Sequence, residues 1–597
     1  MPYSSNNPFT IQTPEDMSAT DAVSIFVDVF TDFFKIPKVG HTFLHGPRGS
    51  GKSMMFRYLE PDCQCLALER SITELAFYGA YIPIKNTDLK ITELMRLQDQ
   101  QANVVLNEHF MVMFVAVKVL ASLAKSPSLE SQTCSAEQLT ALFDTFVKLL
   151  TQSGWEGKVV DFQPTDRAGL LFRHLEGICD DAYKRVLHYL RRLCFPGPLP
   201  PYRGPLCGYL DFLYPLLVSI KALPFMPKGP LFLLLDDADN LNLTQTMILN
   251  AWVSSRTSAD VSLKISTQLN YKTYRTPIST TISSPHDYSE VNIATVYTSS
   301  KDKYRERVAK IVEKRLRLSK IDSTPENFFP PDAEQEAAIT AIADNLRATF
   351  EESGRGNRPS DDVVRYARPN FIRGLRGVRK SGYTYNYAGF SQLVHVSDGT
   401  IRYFLEPASL MYSEQQALAP EKPILQIEPR IQHEVIYRQA ELLMFNEFEK
   451  LKFEPALDST HLKKVQKLGN LIQALGGTFR AILLSDRSER KVFSIAFSDL
   501  PDDEVLSVLK LGAEYGYFHE SSIGNKEGTG RVRLYVLTRR LAPLFTLDVT
   551  GFAGYLFVTN SSIKAAMHNP AAMLRKLESS GLEQYFSQQQ PDLFDAH

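Results

Sequence analysis

Eight consecutive residues, Gly46-Pro47-Arg48-Gly49-Ser50-Gly51-Lys52-Ser53, combine types and a spacing that suit the chemistry of phosphate. Glycines at 46, 49 and 51 reach backbone angles closed to other residues. A loop built on them can turn its amides inward on an anion, at the positive end of the helix that follows. Lys52 adds a cation for β- and γ-phosphate oxygens, and Ser53 a hydroxyl able to ligate Mg²⁺. The run satisfies G-x-x-x-x-G-K-[ST], the phosphate-cradling loop of nucleotide-binding proteins. Nucleotide contact is therefore assigned to Gly46, Pro47, Arg48, Gly49, Ser50, Gly51, Lys52, Ser53 and Met54, with ATP and Mg²⁺ as the expected cofactors.

Two further stretches complete such a site. Leu231-Phe-Leu-Leu-Leu235 is followed at once by Asp236 and Asp237. A continuous apolar run of this length suits a strand buried on both faces, which carries its terminal acids to the sheet edge. Asp236 is the expected Mg²⁺ residue, directly or through water, and Asp237 the residue that polarises an attacking water for in-line displacement at the γ-phosphate. Val261-Ser-Leu-Lys-Ile-Ser-Thr-Gln268 reads as the next strand. Its end residues Thr267 and Gln268 are candidates to hydrogen-bond the γ-phosphate or the attacking water.

The elements around these residues must hold them at one edge. Val39–Leu44 reads as a strand feeding the glycine loop, and Met54–Leu59 as the helix leaving it. That strand–loop–helix context is the one the pattern requires. Asp21–Phe34 has amphipathic helical periodicity. Phe77–Ile84 reads as a strand whose Pro83 suits an edge or an end. Residues 87–230 read as a mainly helical insertion, punctuated by the proline-rich 196–205. A helix over 244–255, a strand over 286–293 and a charged helix over 302–318 follow.

Composition excludes much else. The chain has 597 residues, enough for two to four domains. Lys+Arg number 66 against 67 Asp+Glu, so no global basic field advertises nucleic acid. Six cysteines lie at 63, 65, 134, 179, 194 and 207 without a C-x-x-C pair, which favours a reduced, cytoplasmic protein. The N-terminus lacks the charged and apolar regions of a secretory leader. The longest apolar run, Phe110–Ala121, is short for a membrane span and broken by Lys118, so it reads as a buried helix. No H-E-x-x-H or G-x-S-x-G pattern offers a rival hydrolytic centre.

The C-terminal third reads as helices over 435–451 and 462–476, strands over 479–484 and 492–497, and a helix over 502–515. Two alternating strands, 516–523 and 531–537, flank the glycine-rich 524–530 as a β-hairpin. Helices followed by such a hairpin suggest a winged-helix module. Lys526, Arg531 and Arg533 could contact the backbone of double-stranded DNA; a protein-binding module with a solvated basic edge is the competing reading.

The order glycine loop, strand ending in two acids, polar strand end and helical lid resembles the AAA+ ATPases of the origin-recognition and replication-initiator clade. It is similar also to signal-transduction ATPases with numerous domains, which share the Asp-Asp ending. The resemblance implies a three-layer α/β domain with a parallel sheet, a helical lid and a C-terminal α+β winged-helix-like domain. Expected boundaries are a flexible 1–20, an ATPase domain over 21–298 with insertion 87–230, a lid over 299–420, a C-terminal domain over 421–585 and a tail. Val396-Ser-Asp-Gly-Thr-Ile-Arg402 matches the clade's lid-helix start, so Arg402 takes the second-sensor role on a helix capped by Ser397 or Asp398. The clade's trans-acting arginine falls in a window holding Lys272 and Arg275, and Arg275 is the candidate; Arg256 is its rival. These assignments imply an ATP-dependent switch acting as an oligomer or with a partner protein. Its output is DNA engagement or, alternatively, a sensor role such as anti-phage defence. Asp237, where the clade often has glutamate, leaves open a scaffold with little turnover.

Overall fold

The computed structural model describes residues 7–28, 33–84, 100–126, 134–156, 165–193, 201–255, 257–268, 271–293, 301–353, 359–375, 385–452, 459–485, 491–524, 531–551 and 554–571, with 159, 162, 195 and 575. The chain divides into two compact units, one of residues 12–303 and one of residues 1–11 with 304–597.

Five parallel strands organise the first unit: β1 (Thr42–His45), β2 (Tyr78–Pro83), β3 (Leu231–Asp236), β4 (Val261–Thr267) and β5 (Ser289–Asn292), in the order β2-β3-β4-β1-β5. Pro83 ends the edge strand β2, where a missing N–H costs no ladder bond. Side chains alternate across the sheet. Leu231, Leu233 and Leu235 of β3 join one core cluster, and Phe232 and Leu234 join another on the opposite face. The second cluster is closed by α2 (Lys52–Tyr58), which follows the glycine loop, and by Phe26, Phe33 and Ile36 upstream of it.

The first cluster is closed by the insertion. α3 (Gln100–Lys125) and α4 (Ala168–Leu193), with the helices Ala136–Gln152 and Tyr214–Lys221, bury Phe110, Val119, Leu171 and Leu216 against the sheet. The insertion is thus a structural layer of the three-layer sandwich. Residues 101–125 of α3 are apolar and long enough to cross a membrane by composition alone, yet most of that stretch's apolar window is buried within the fold. Among the described residues the five cysteines are free thiols.

The helix expected over 21–34 stops early. α1 (Ala19–Ile25) is capped by the Ser18 side chain, and Phe26 is already extended. The cause is aromatic packing: the Phe26 ring stacks on Tyr58 with centroids 3.8 Å apart, and Phe33 packs beside it at 5.4 Å from Phe26.

In the second unit, Phe9 is fully buried against Phe328, Phe329 and Tyr412, so the expected flexible leader is anchored at this residue. The stretch expected as a lid holds the helices Lys301–Leu318, Ala333–Ser353 and α5 (Ile401–Leu418). Pro429–Lys452 is helical throughout, with one π turn at Leu442–Asn446. The strand expected over 479–484 is helix instead. α6 runs unbroken from Ser459 to Leu483. Gly476 lies inside it, and the ring of Phe545 comes within 2.4 Å of where a Cβ would stand; the glycine makes room for an aromatic ring.

A mixed sheet follows, of β6 (Val492–Phe497), β7 (Phe518–Gly524), β8 (Arg531–Leu537) and β9 (Gly554–Val558), in the order β7-β8-β6-β9. β7 and β8 form the expected antiparallel hairpin, whereas β9 pairs parallel to β6. β9 and the helix Asn560–His568 after it were not foreseen from the sequence.

Candidate functional site

Parallel strands end together, so His45, Asp236 and Thr267 reach one edge of the sheet. The chain enters the glycine loop through Gly46, whose N–H donates to the Thr267 carbonyl at 3.1 Å. A Cβ on Gly46 would stand 2.8 Å from Ser50 Oγ. Gly49 and Gly51 hold φ of 81° and 99°, the left-handed region that a side chain strains. Gly51 also precedes the first turn of α2 without a side-chain cap, which leaves that turn's amides for a ligand.

Lys52 is buried, and its Nζ donates to the carbonyls of Gly46 (2.8 Å) and Pro47 (3.1 Å). Burial lowers its pKa, against the opposing pull of Asp237, Asp236 and Asp239. Ser53 and Met54 are half-buried in the same turn, and Arg48 is exposed, 4.0 Å from Asp239.

The acidic pair is held from both neighbouring strands. Asp236 accepts from the Tyr81 phenol at 2.8 Å, from the Ser266 hydroxyl and from the Asp237 N–H at 3.1 Å. Asp237 is left-handed, with φ 56°, and its N–H also donates to Ser266 Oγ at 3.0 Å. Burial, then the neighbouring Asp236, pushes the Asp237 carboxyl up to about 6, although Lys52 pulls the other way. Thr267 is buried with its hydroxyl donating to the Gln268 carbonyl at 2.6 Å, and the Gln268 amide donates to Asp239 Oδ2 at 2.8 Å. His45 Nε2 lies 3.1 Å from Glu290 on β5, and burial lowers the imidazole pKa.

One sheet edge therefore gathers Lys52, Asp236, Asp237, Thr267 and Gln268, with four residues that sequence reasoning left unassigned: Tyr81, Ser266, Asp239 and His45. Asp239 stood within the acidic run and Ser266 one residue before the expected polar end; nothing in the sequence marked Tyr81.

Arg275 is exposed, its backbone bridged to Thr281. Lys272 is turned back, donating to the carbonyls of Asp239 (2.8 Å) and Leu241, which fixes the turn after β3. Arg256 and Lys526 lie outside the described residues, and Arg531 is described by its backbone alone, paired with Gly524. Arg533 is exposed, 3.9 Å from Glu520.

Arg402 belongs to the second unit and is exposed in the first turn of α5. The cap expected before it is different. Thr400, not Ser397 or Asp398, occupies the N-cap, without a side-chain bond. Ser397 ends the preceding helix, and its hydroxyl meets Tyr304 at 2.8 Å. The buried Asp398 carboxylate is engaged by His519 and Arg539. Tertiary partners have claimed both side chains.

A family model described as ORC-CDC6-like matches residues 7–354 and 336–557. The chain belongs to the ORC-CDC6-like family. The first matched stretch of this AAA+ initiator-clade protein carries the parallel sheet, the glycine loop and the acidic pair. The second carries α5 and the mixed sheet into β9. Membership makes this ORC-CDC6-like chain a member of a nucleotide-binding family. No curated protein matches it.

Proposed function

We propose that the chain is a magnesium-dependent ATPase switch. The observation that carries this reading is the convergence of Lys52 and the Asp236–Asp237 pair at the edge where the glycine loop opens. Magnesium fits the donors present. An ionised carboxylate offers about four lone-pair sites, and three on Asp236 are filled by Tyr81, Ser266 and the Asp237 N–H. One remains, enough for one direct bond to the ion or for one metal-bound water, and the Ser53 hydroxyl is the direct ligand of this reading. A magnesium ion held there would offset charge on the β- and γ-phosphates.

In this reading Lys52 leaves the loop carbonyls for the γ-phosphate. Asp237, with its raised pKa, accepts a proton from the attacking water. Thr267 and Gln268 orient that water or the phosphate. Arg402 on the lid and Arg275 from a neighbouring copy are the cationic groups that would report the γ-phosphate, so lid and assembly would respond to hydrolysis. The β7–β8 hairpin, with Lys526, Arg531 and Arg533, is the output surface for DNA or a partner protein.

The test is equilibrium binding of a fluorescent ATP analogue with Mg²⁺. Lys52→Ala removes charge-assisted hydrogen bonds and is expected to weaken binding about 10- to 100-fold. Equal affinity in parent and variant would sink the assignment.

A further inference from the structure

The polar end of β4 divides into two parts. Thr267 and Gln268, the residues its sequence pattern points to, are tied to a backbone carbonyl and to Asp239. Ser266, fully buried one residue earlier, is the side chain that reaches the acidic pair. Its hydroxyl donates to Asp236 Oδ1 and accepts from the Asp237 N–H at 3.0 Å. A serine has one donor and two acceptor sites, and here the donor and one acceptor serve adjacent residues of the same dipeptide.

Tyr81 completes the arrangement from the opposite side. β2 and β4 flank β3, with Leu235 beside Ile265 and Leu234 beside Tyr81. Ser266 therefore follows Asp236 in register on one side, and the Tyr81 phenol donates to Asp236 Oδ2 at 2.8 Å on the other. The terminal torsion of an aspartate is broad and roughly two-fold. The carboxylate plane is not set by the residue itself and must be fixed by its partners.

We propose that Ser266 and Tyr81 are positioning residues for magnesium. They hold Asp236 so that one lone pair stays available to the ion or to a water bound on it, and Ser266 also fixes the left-handed turn that brings Asp237 toward Lys52. This inference rests on the ATP–magnesium reading above.

The test uses the full chain and a fluorescent ATP analogue, first in EDTA and then with titrated Mg²⁺. Ser266→Ala and Tyr81→Phe leave the glycine loop untouched, so metal-free binding should stay within about twofold of the parent. The Mg²⁺ concentration giving half the metal-dependent gain in binding should rise about tenfold, the usual effect of losing a hydrogen bond that orients a metal-binding group. Ser266→Thr, which keeps the hydroxyl, should restore the parental requirement. Tyr81→Phe deletes one oxygen from a half-buried ring and gives an independent reading should Ser266→Ala fail to fold. An unchanged Mg²⁺ requirement in either folded variant, or a parent that binds the nucleotide with no response to Mg²⁺, overturns the inference. A parent that binds no nucleotide overturns the functional reading itself, and this inference with it.

Discussion

Among the described residues two aspartates adopt the left-handed backbone region, Asp237 with φ 56° and Asp398 with φ 52°. Aspartate tolerates this region better than most side chains, and burial pushes both carboxyls up. Their company then separates them. Beside Asp237 stand Asp236 and Asp239, whose repulsion adds to burial and outweighs Lys52, so the carboxyl settles at about 6. Around Asp398 stand His519 Nε2 at 2.7 Å, the Arg539 N–H at 3.2 Å and the Arg539 guanidinium at 3.8 Å. Burial is overcome there, first by His519, and the carboxyl is held below its ordinary value. The same residue type on the same backbone is poised to take up a proton in one place and locked as an anion in the other. The backbone is alike at both positions; only the surrounding charge separates a carboxyl with a raised pKa from one held as an anion.

The comparison breaks most directly if one substitution is made at both positions. Asp398→Asn leaves His519 and Arg539 facing no carboxylate, and should lower stability by about 3 kcal/mol, read as a fall in the urea midpoint. Asp237→Asn should do the reverse. A carboxyl whose folded pKa lies above its ordinary value binds its proton more tightly in the folded state, so stability falls as pH rises from about 4 to about 6. Removing that charge should stabilise the chain by about 1 kcal/mol at pH 7, the shift being discounted because solvent partly screens the group. ATP turnover should drop about 100-fold with nucleotide binding retained. If both variants lose stability, the contrast is wrong.

Acid should sharpen the same contrast with a smaller effect. Turnover should rise with pH through about 6 as Asp237 loses its proton, with about a tenfold deficit at pH 5 relative to pH 7. At the joint, His519 carries a raised pKa: burial lowers it, and Asp398 more than reverses that. The stability it contributes is present below its ordinary value of about 6.5 and is lost as pH rises through the raised one. The depressed Asp398 carboxyl contributes above its ordinary value of about 3.9, and loses that contribution as pH falls through the lowered one. The cost of Asp398→Asn should therefore be largest near pH 5 and shrink in alkaline solution, as paired urea titrations of parent and variant would show.

How much of this was legible follows from what each feature asks of the sequence. The glycine loop, β3 and Asp236–Asp237 demand particular residue types in a fixed order, and the sheet brings the loop and the acidic pair to one edge. The choice between Ser266 and Thr267 turns on strand phase, because adjacent side chains face opposite ways, and a strand end gives few residues from which to judge phase. Gly476 reads as a helix stop, and only the ring of Phe545 reveals it as a packing site. Ser397 and Asp398 are good N-cap types, yet their partners Tyr304, His519 and Arg539 are remote in sequence. The insertion's role as a sheet layer was hidden for the same reason: helical periodicity says that a face is buried, not against what.

The smallest predicted effect isolates burial from distance. Arg533 lies 3.9 Å from Glu520 and Arg539 lies 3.8 Å from Asp398, so the two pairs are equally spaced. The first pair's side chains are 65% and 30% exposed, the second pair's 7% and 2%. An exposed pair at this separation is screened by water and salt, and Arg533→Ala should change stability by less than about 0.5 kcal/mol. Arg533 should show its worth in binding instead. If the hairpin engages the backbone of double-stranded DNA, Arg533→Ala should weaken affinity for all sequences alike and reduce the salt dependence by about one released counterion. Titration against duplex DNA at several salt concentrations reads that slope. An unchanged slope would leave the hairpin to a protein partner, and a stability loss as large as that of Asp398→Asn would mean that burial is not what separates the two pairs.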